Sequence, residues 1–366
     1  MSTYGMSALT RGSSGNVYDS EAVFSTISPV RKKVELYERI DDILWDVVPV
    51  VILVIGLVGN TLSIVIMSRP SFRETTTRLY FQALAVSDLA FLIAVLLPRY
   101  VSLFFETKVW DVNNWLCKSH IFLSYWLMHL SAWYLVGVTI ERLIAVHVPH
   151  KVKQWVTGTK VWIYLVSVTL VMTGLNIHLV FTVELVPIGN DKFACPSIQS
   201  FSFYNNIIFP YVDLVFYMCI PTAVIISGNI SIVWRILDAR QSTSQMTNAQ
   251  TVQKYKLSQM TITLMAVTMI FVLLNGPVLV LTLLQSGWLN VEVVIGTEAS
   301  LKAAKLSLGN TVSVLVMFLN SSINFLLYCL SGPRFRAEVK IMFCGSHASS
   351  NSTEISRALA TDYNEK

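Results

Sequence analysis

Charge is scarce in this sequence. Only 13% of its 366 residues are Asp, Glu, Lys or Arg, against about 25% in a soluble domain, while 54% are hydrophobic and the mean hydropathy is +0.58. Most of the chain must therefore avoid water. Cysteine is also scarce, and five residues, an odd number, exclude a dense disulfide framework. No P-loop, zinc HExxH pair or nucleophile elbow in its strand–turn–helix context occurs, so nothing signals an enzyme. The short alternating segments of a strand barrel are missing. So are the paired mid-membrane acids and repeated halves of an ion or solute transporter. Residues 1 to 40 hold no apolar signal-peptide core, which leaves the first membrane span as the expected targeting signal. They also hold no N-x-S/T sequon. The sequons at Asn229 and Asn320 fall inside apolar runs and that at Asn351 falls in the tail, so N-glycosylation is not expected.

What is present instead is oily sequence in runs of bilayer length. A helix needs about 20 mostly apolar residues to cross a hydrocarbon core of about 30 Å. Seven stretches qualify: 47–67, 79–97, 121–140, 161–183, 207–234, 260–284 and 306–330, and only Asp88 and Asp213 are charged within them. As helices they satisfy their own backbone hydrogen bonds, which lipid demands. The expected fold is an all-α membrane protein, a seven-transmembrane helix bundle with a short amphipathic eighth helix. Residues 1–42 form a polar extracellular segment without fixed structure, 43–332 the bundle, 333–344 a membrane-surface helix, and 345–366 a cytoplasmic tail rich in Ser and Thr and without fixed structure.

Orientation follows from the basic residues of the connectors. Those after spans one, three and five carry Arg69, Arg73, Arg78, Arg142, Lys151, Lys153, Lys160, Arg235, Arg240, Lys254 and Lys256, and the opposite loops carry fewer. The C-terminus is thus cytoplasmic and the N-terminus outside. The run Arg31, Lys32, Lys33 disagrees, although the acids Glu35, Glu38, Asp41, Asp42 and Asp46 follow it. The net charge of +5 resides in the cytoplasmic loops, where anionic lipid is a sufficient partner and no nucleic acid is implied. A distance check agrees with this layout. Cys117 and Arg142 are 25 residues apart, which is roughly 37 Å of helix.

Each cysteine is read by its place. Cys219 and Cys329 fall inside spans and are expected to be buried thiols. Cys117 opens span three and Cys195 lies in the outer loop between spans four and five; both face an oxidising compartment, so a disulfide is expected to pin that loop over the outer mouth. Cys344 ends the segment GPRFRAEVKIMFC, in which Phe335, Ile341, Met342 and Phe343 would face lipid and Arg336 and Lys340 headgroups; Cys344 is either a palmitoylation site or an unmodified thiol.

Ionisable residues inside a span are functional candidates. Asp88 lies mid-span, with Ser131, Asn320 and Asn324 as oxygen-bearing partners on other spans. That set suits a small hard cation such as sodium, or else a hydrogen-bonded cluster that holds helices together. His129 and His178 lack metal-ligand spacing, and hydrogen bonding between helices is expected of them. Glu141 and Arg142 form a neighbouring pair of opposite charge at the inner end of span three.

These residues carry a resemblance. From span one through the short helix after span seven the chain resembles the rhodopsin-like G-protein-coupled receptors. The matching positions are Gly59 and Asn60, Asp88 within LAVSDLAFL, Trp110 before Cys117, ERLIAVHVP with Glu141 and Arg142, Pro221, Phe271 and Pro277, and NFLLY with Asn324 and Tyr328. The resemblance implies a two-state switch at the plasma membrane. An extracellular ligand favours outward movement of span six, and Arg142 then meets a heterotrimeric G protein. It further implies a sodium ion held by Asp88, Ser131, Asn320 and Asn324, switch roles for Glu141, Arg142, Phe271, Pro277 and Tyr328, and arrestin recruitment by phosphorylated Ser346, Ser349, Ser350, Ser352, Thr353 and Ser356. Departures stand at Leu143, Thr169, Asn229, Asn275 and Phe325, where the family usually has other residues.

Two ligand classes fall at single positions. A retinal Schiff base needs a lysine where Phe318 stands, and monoamine binding needs an aspartate where Ser124 stands. The NFLLYCLSGPRFR segment is similar to a neuropeptide branch that includes invertebrate receptors for FMRFamide-like amidated peptides. The expected pocket comprises Arg99, Tyr100, Tyr125, Met128, Asp213, Tyr217, Asn275 and Gln285, with Asp213 a partner for an arginine of a basic peptide and Arg99 for a carbonyl or acid. A small-molecule receptor is the alternative reading.

Overall fold

The computed structural model describes residues 20–73, 75–105, 108–189, 192–241, 265–278, 280–281 and 298–344. Span one is Ser20–Met67, span two Thr77–Val101, span three Asn114–His147, span four Gly158–Thr182, span five Tyr204–Asp238, span six Met265–Val278, span seven Glu298–Ser331, and helix eight Pro333–Cys344. Six of these are long and apolar enough to cross a membrane, and the described part of span six is a shorter apolar helix. The seven-helix bundle read from the sequence is thus the observed fold.

Span three forms the axis. Asn113 caps it, its side chain accepting from the Leu116 amide at 2.8 Å. Along its length it exchanges hydrogen bonds with three neighbours: Ser131 with Asp88 of span two, Trp126 with Thr173 and Tyr134 with Thr169 of span four, and Trp133 with the Phe216 carbonyl of span five. Gly137 allows span four to close in, since a Cβ there would lie 2.5 Å from the rings of Tyr80 and Tyr164. Span one packs on span seven, where Asn60 donates to the Ser321 carbonyl at 2.7 Å and Ser322 to the Ile52 carbonyl at 3.0 Å.

Prolines account for the irregular turns. Residues Leu92–Leu96 and Leu214–Cys219 are π-helical, just before Pro98 and Pro221. A proline has no N–H to give, so carbonyls upstream of it lose their helical donor. Side chains of span three take them: His120 Nδ1 is 3.2 Å from the Ala94 carbonyl, and Trp133 Nε1 is 2.9 Å from that of Phe216. Broken backbone bonds in spans two and five thereby become ties to the axis.

Four expectations are corrected. Span one begins at Ser20, so residues 20–42 of the segment read as unstructured are helical. Val34, Tyr37, Asp41, Leu44 and Trp45 fall on its less exposed side at helical spacing; Trp45 donates to Thr311 at 3.2 Å, and Lys305 lies 5.9 Å from the Tyr37 ring. Phe335 does not face lipid. It is buried against Phe72, Phe325 and Tyr328, which docks helix eight on the bundle. Cys219 is exposed on the outside of span five and Cys329 half-buried. His129 and His178 bond within their own helices, to the carbonyls of Tyr125 and Leu175; a ring nitrogen one turn from a carbonyl reaches it more easily than a neighbouring helix.

Candidate functional site

The outer mouth is covered by a small hairpin. Strands β1 (Val186–Gly189) and β2 (Lys192–Ala194) pair antiparallel, and Cys195, directly after β2, is disulfide-bonded to Cys117 in the first turn of span three, with Cα atoms 5.8 Å apart. The pairing expected from the sequence is therefore present. Close by, Trp110 stacks on His120 at 4.5 Å.

Beneath the hairpin, spans three, five and six bring Tyr125, Met128, His129, Asp213, Tyr217 and Asn275 together. Tyr217 is the hub: its hydroxyl donates to Asn275 Oδ1 at 2.6 Å, and its ring meets His129 at 5.8 Å and Phe271 at 6.0 Å. Tyr125 packs edge-on to Phe209 at 5.2 Å. Met128 lines a narrow cavity with Tyr217, Phe271 and Asn275 that reaches down to Ser131 and Asn320. Arg99 and Tyr100 are placed apart from this group. The Arg99 guanidinium lies 4.0 Å above the Trp45 ring of span one, and Tyr100 meets Phe104 at 5.2 Å. Gln285 lies outside the described residues.

The sequence gives His129 a hydrogen bond between helices and no site role, because it is a lone histidine in an apolar run. The signal that could have found it is Asp213, the one acid of the apolar stretch 207–234. His129 Nε2 lies 3.6 Å from Asp213 Oδ1.

At mid-depth Asp88 is fully buried, accepting from Ser131 at 3.0 Å and from Asn324 Nδ2 at 2.8 Å. The carboxylate and the Ser131 hydroxyl are hard oxygen donors of the kind a sodium ion takes, and Asn320 lines the same cavity as Ser131. Asn324 offers Asp88 its N–H rather than its oxygen, so it serves the carboxylate and would ligate only after turning its amide.

At the inner end Glu141 accepts from Thr77 at 2.5 Å and Thr76 at 3.1 Å, and Arg142 lies 3.5 Å from Glu141 and also bonds Thr77. Arg142 is thus held among groups of its own span and span two. Beside it, Asn229 donates to Thr268 at 2.9 Å, joining spans five and six. Tyr328 is buried against Phe81 at 4.7 Å and Phe335 at 5.5 Å, while Pro277 is exposed on span six. Phe318 stacks on Phe91 at 5.1 Å, and the Ser124 hydroxyl returns to its own helix at the His120 carbonyl. Cys344 ends helix eight.

Comparison with known proteins agrees with this arrangement. The pattern of the 7 transmembrane receptor (rhodopsin family) matches residues 59–328. The chain is 24% identical over 329 residues to the Caenorhabditis elegans protein named as G-protein coupled receptor F59B2.13, covering 79% of this chain and 70% of that one. It is 31% identical over 112 residues to growth hormone secretagogue receptor type 1 of Sus scrofa, 31% of this chain and 30% of that receptor. With galanin receptor type 2 of Homo sapiens it shares 31% identity over 98 residues, 27% and 25% of the two chains. The matched regions thus span less than a third of these two mammalian receptors. A seven-helix bundle with a tethered outer hairpin and a buried Glu–Arg pair at its inner end, matched by the family pattern over most of its length, identifies the chain as a member of the rhodopsin family of seven-transmembrane receptors, signalling proteins and not enzymes.

Proposed function

We propose that this receptor binds an extracellular, C-terminally amidated neuropeptide at the plasma membrane, with its N-terminus outside, and activates a heterotrimeric G protein. The observation that carries the reading is the polar hub at Tyr217. It sits under a disulfide-tethered hairpin and bonds directly to Asn275 on span six, the helix whose movement opens the inner cleft in such receptors. Its relatives named for a growth hormone secretagogue and for galanin are peptide receptors, which favours a peptide over a small molecule.

In this reading a peptide held between spans three, five and six shifts the population toward a state in which Arg142 leaves Glu141 and Thr77 for the G protein. Sodium at Asp88, Ser131 and Asn320 would favour the closed state, since it ties spans two, three and seven together. The phosphorylatable tail residues would recruit arrestin, and helix eight would rest on inner-leaflet lipid.

The test is a panel of amidated peptides applied to membranes containing the full chain, read as GTP loading on a purified heterotrimer. Accelerated exchange with a peptide is the expected result. Responses to non-peptide compounds alone would transfer the assignment to a small-molecule receptor, and solute flux without exchange would point to a transporter.

A further inference from the structure

The outer half of the bundle holds two acceptor atoms that face each other. His129 Nε2 and Asp213 Oδ1 are 3.6 Å apart, beyond hydrogen-bond range, and neither has a hydrogen-bond partner among the described residues. The cause lies on the far side of the ring. His129 Nδ1 is 2.8 Å from the Tyr125 carbonyl, which can only accept, so Nδ1 carries the proton of the neutral imidazole. That leaves a bare lone pair at Nε2 aimed at a carboxylate oxygen. Two such acceptors repel, and burying them is costly unless a shared donor satisfies both; His129 is completely buried and Asp213 is only 9% exposed.

We propose that Asp213 and His129 together form the binding site for one positively charged N–H group of the ligand, the guanidinium or ammonium of a basic side chain. The proposal rests on the peptide-receptor reading and supplies its ligand chemistry. A nitrogen with two hydrogens, about 2.9 Å from each acceptor, donates to both with N–H···acceptor angles of about 150°, at the edge of the favoured range. Spans three and five supply no competing cation, because neither 121–140 nor 207–234 contains Lys or Arg. Arg99 is held against Trp45. One helical turn nearer the outer end, Tyr125 and Phe209 bring aromatic rings together at 5.2 Å, a lining that suits a cation. A donor drawn between Asp213 and His129 pulls span five toward span three. Tyr217, one turn inward from Asp213, passes that movement to Asn275 and Phe271 of span six.

The direct test uses arginine amide and its neutral isostere citrulline amide on the purified full-length receptor in nanodiscs. Arginine amide is expected to raise the Tm by a few degrees more than citrulline amide. The difference should vanish in Asp213→Asn, which keeps the shape and can itself donate to His129 Nε2, and should shrink in His129→Phe. Equal shifts from the two amides, or a difference that survives Asp213→Asn, overturn the site. A second arm takes the active peptides of the amidated panel and replaces Arg with citrulline and Lys with norleucine. A potency loss of about 30-fold or more is expected in the wild type and none in Asp213→Asn. Neutral analogues that match their parents, or active acetylated peptides lacking Lys and Arg, sink the site while leaving the peptide receptor intact. If no peptide activates and the amide difference persists, the peptide reading fails and the site stands.

Discussion

Two lone acids, Asp88 and Asp213, sit in neighbouring parts of one bundle, and the protein treats them in opposite ways. Asp88 is answered from within: Ser131 and Asn324 donate to its two oxygens, and Ser131 is itself bonded to Ser87 at 3.0 Å. Asp213 Oδ1 has no hydrogen-bond partner among the described residues and faces another acceptor. Both carboxylates carry the cost of leaving water. The inner one is compensated by its neighbours in the bundle, whereas the outer one has an oxygen that none of the described residues satisfies. A carboxylate satisfied in this way ties helices together, and one left unsatisfied is what the proposed cation site requires.

The largest expected effect separates the halves by what holds them. The outer half is closed by a disulfide spanning 78 residues of sequence, while the inner half relies on hydrogen bonds. Cys195→Ser should cost about 3 kcal/mol, seen as a lower Tm of the purified receptor, and should abolish peptide responses. A variant that kept its full Tm would show that the hairpin is held by packing alone.

Next comes the contrast of the acids themselves. Asp88→Ala strands the donors of Ser131 and Asn324 in the interior and should cost about 3 kcal/mol. Asp213→Ala removes no hydrogen bond to a described residue and relieves a repulsion, so about 1 kcal/mol or less is expected. Thermal melting of the two variants side by side decides the point, and equal losses would erase the distinction drawn between them.

Most of this was legible in the sequence where the physics is local. Bilayer-length apolar runs fix the spans because lipid leaves the backbone no other option, and Cys117 and Cys195 were matched through the compartment they share. What depended on which way a side chain turns was not legible. Phe335 looked like a lipid-facing residue of an amphipathic helix and is buried under Tyr328. Arg99 looked like a pocket residue, yet it turns toward Trp45, in a helical extension that the polar, acidic residues 20–46 did not suggest. The acceptor pair at His129 and Asp213 needs the depth of two spans to match, which no spacing within either span records.

A third pair of variants sharpens the link between the halves. Asn275 and Asn229 stand where the family usually has aromatic residues, and each bonds across the boundary between spans five and six, to Tyr217 near the outer hub and to Thr268 near the inner end. Tyr217→Phe and Asn229→Ala each delete one such bond, worth about 1 kcal/mol. If these bonds hold span six closed, each deletion should raise ligand-free GTP loading by about fivefold. Unchanged or reduced basal exchange in both would mean that the bonds persist in, or favour, the active state.

The smallest effect concerns the outward extension of span one. The helix from Pro29 to Met67 has 39 residues, about 58 Å, so nearly half of it exceeds the hydrocarbon core of about 30 Å. Beyond the core it leans on span seven, with the Lys305 ammonium 5.9 Å from the Tyr37 ring. An exposed contact of that kind is worth about 0.5 kcal/mol. Lys305→Met keeps the aliphatic length and removes only the charge, so overall stability should hardly move. Amide exchange over residues 31–46 should quicken about twofold, because opening of that stretch is local and reports its own small free energy. Unaltered exchange there would place the hold on the extension with Trp45 and its bond to Thr311, deeper in the bundle and indifferent to the lysine.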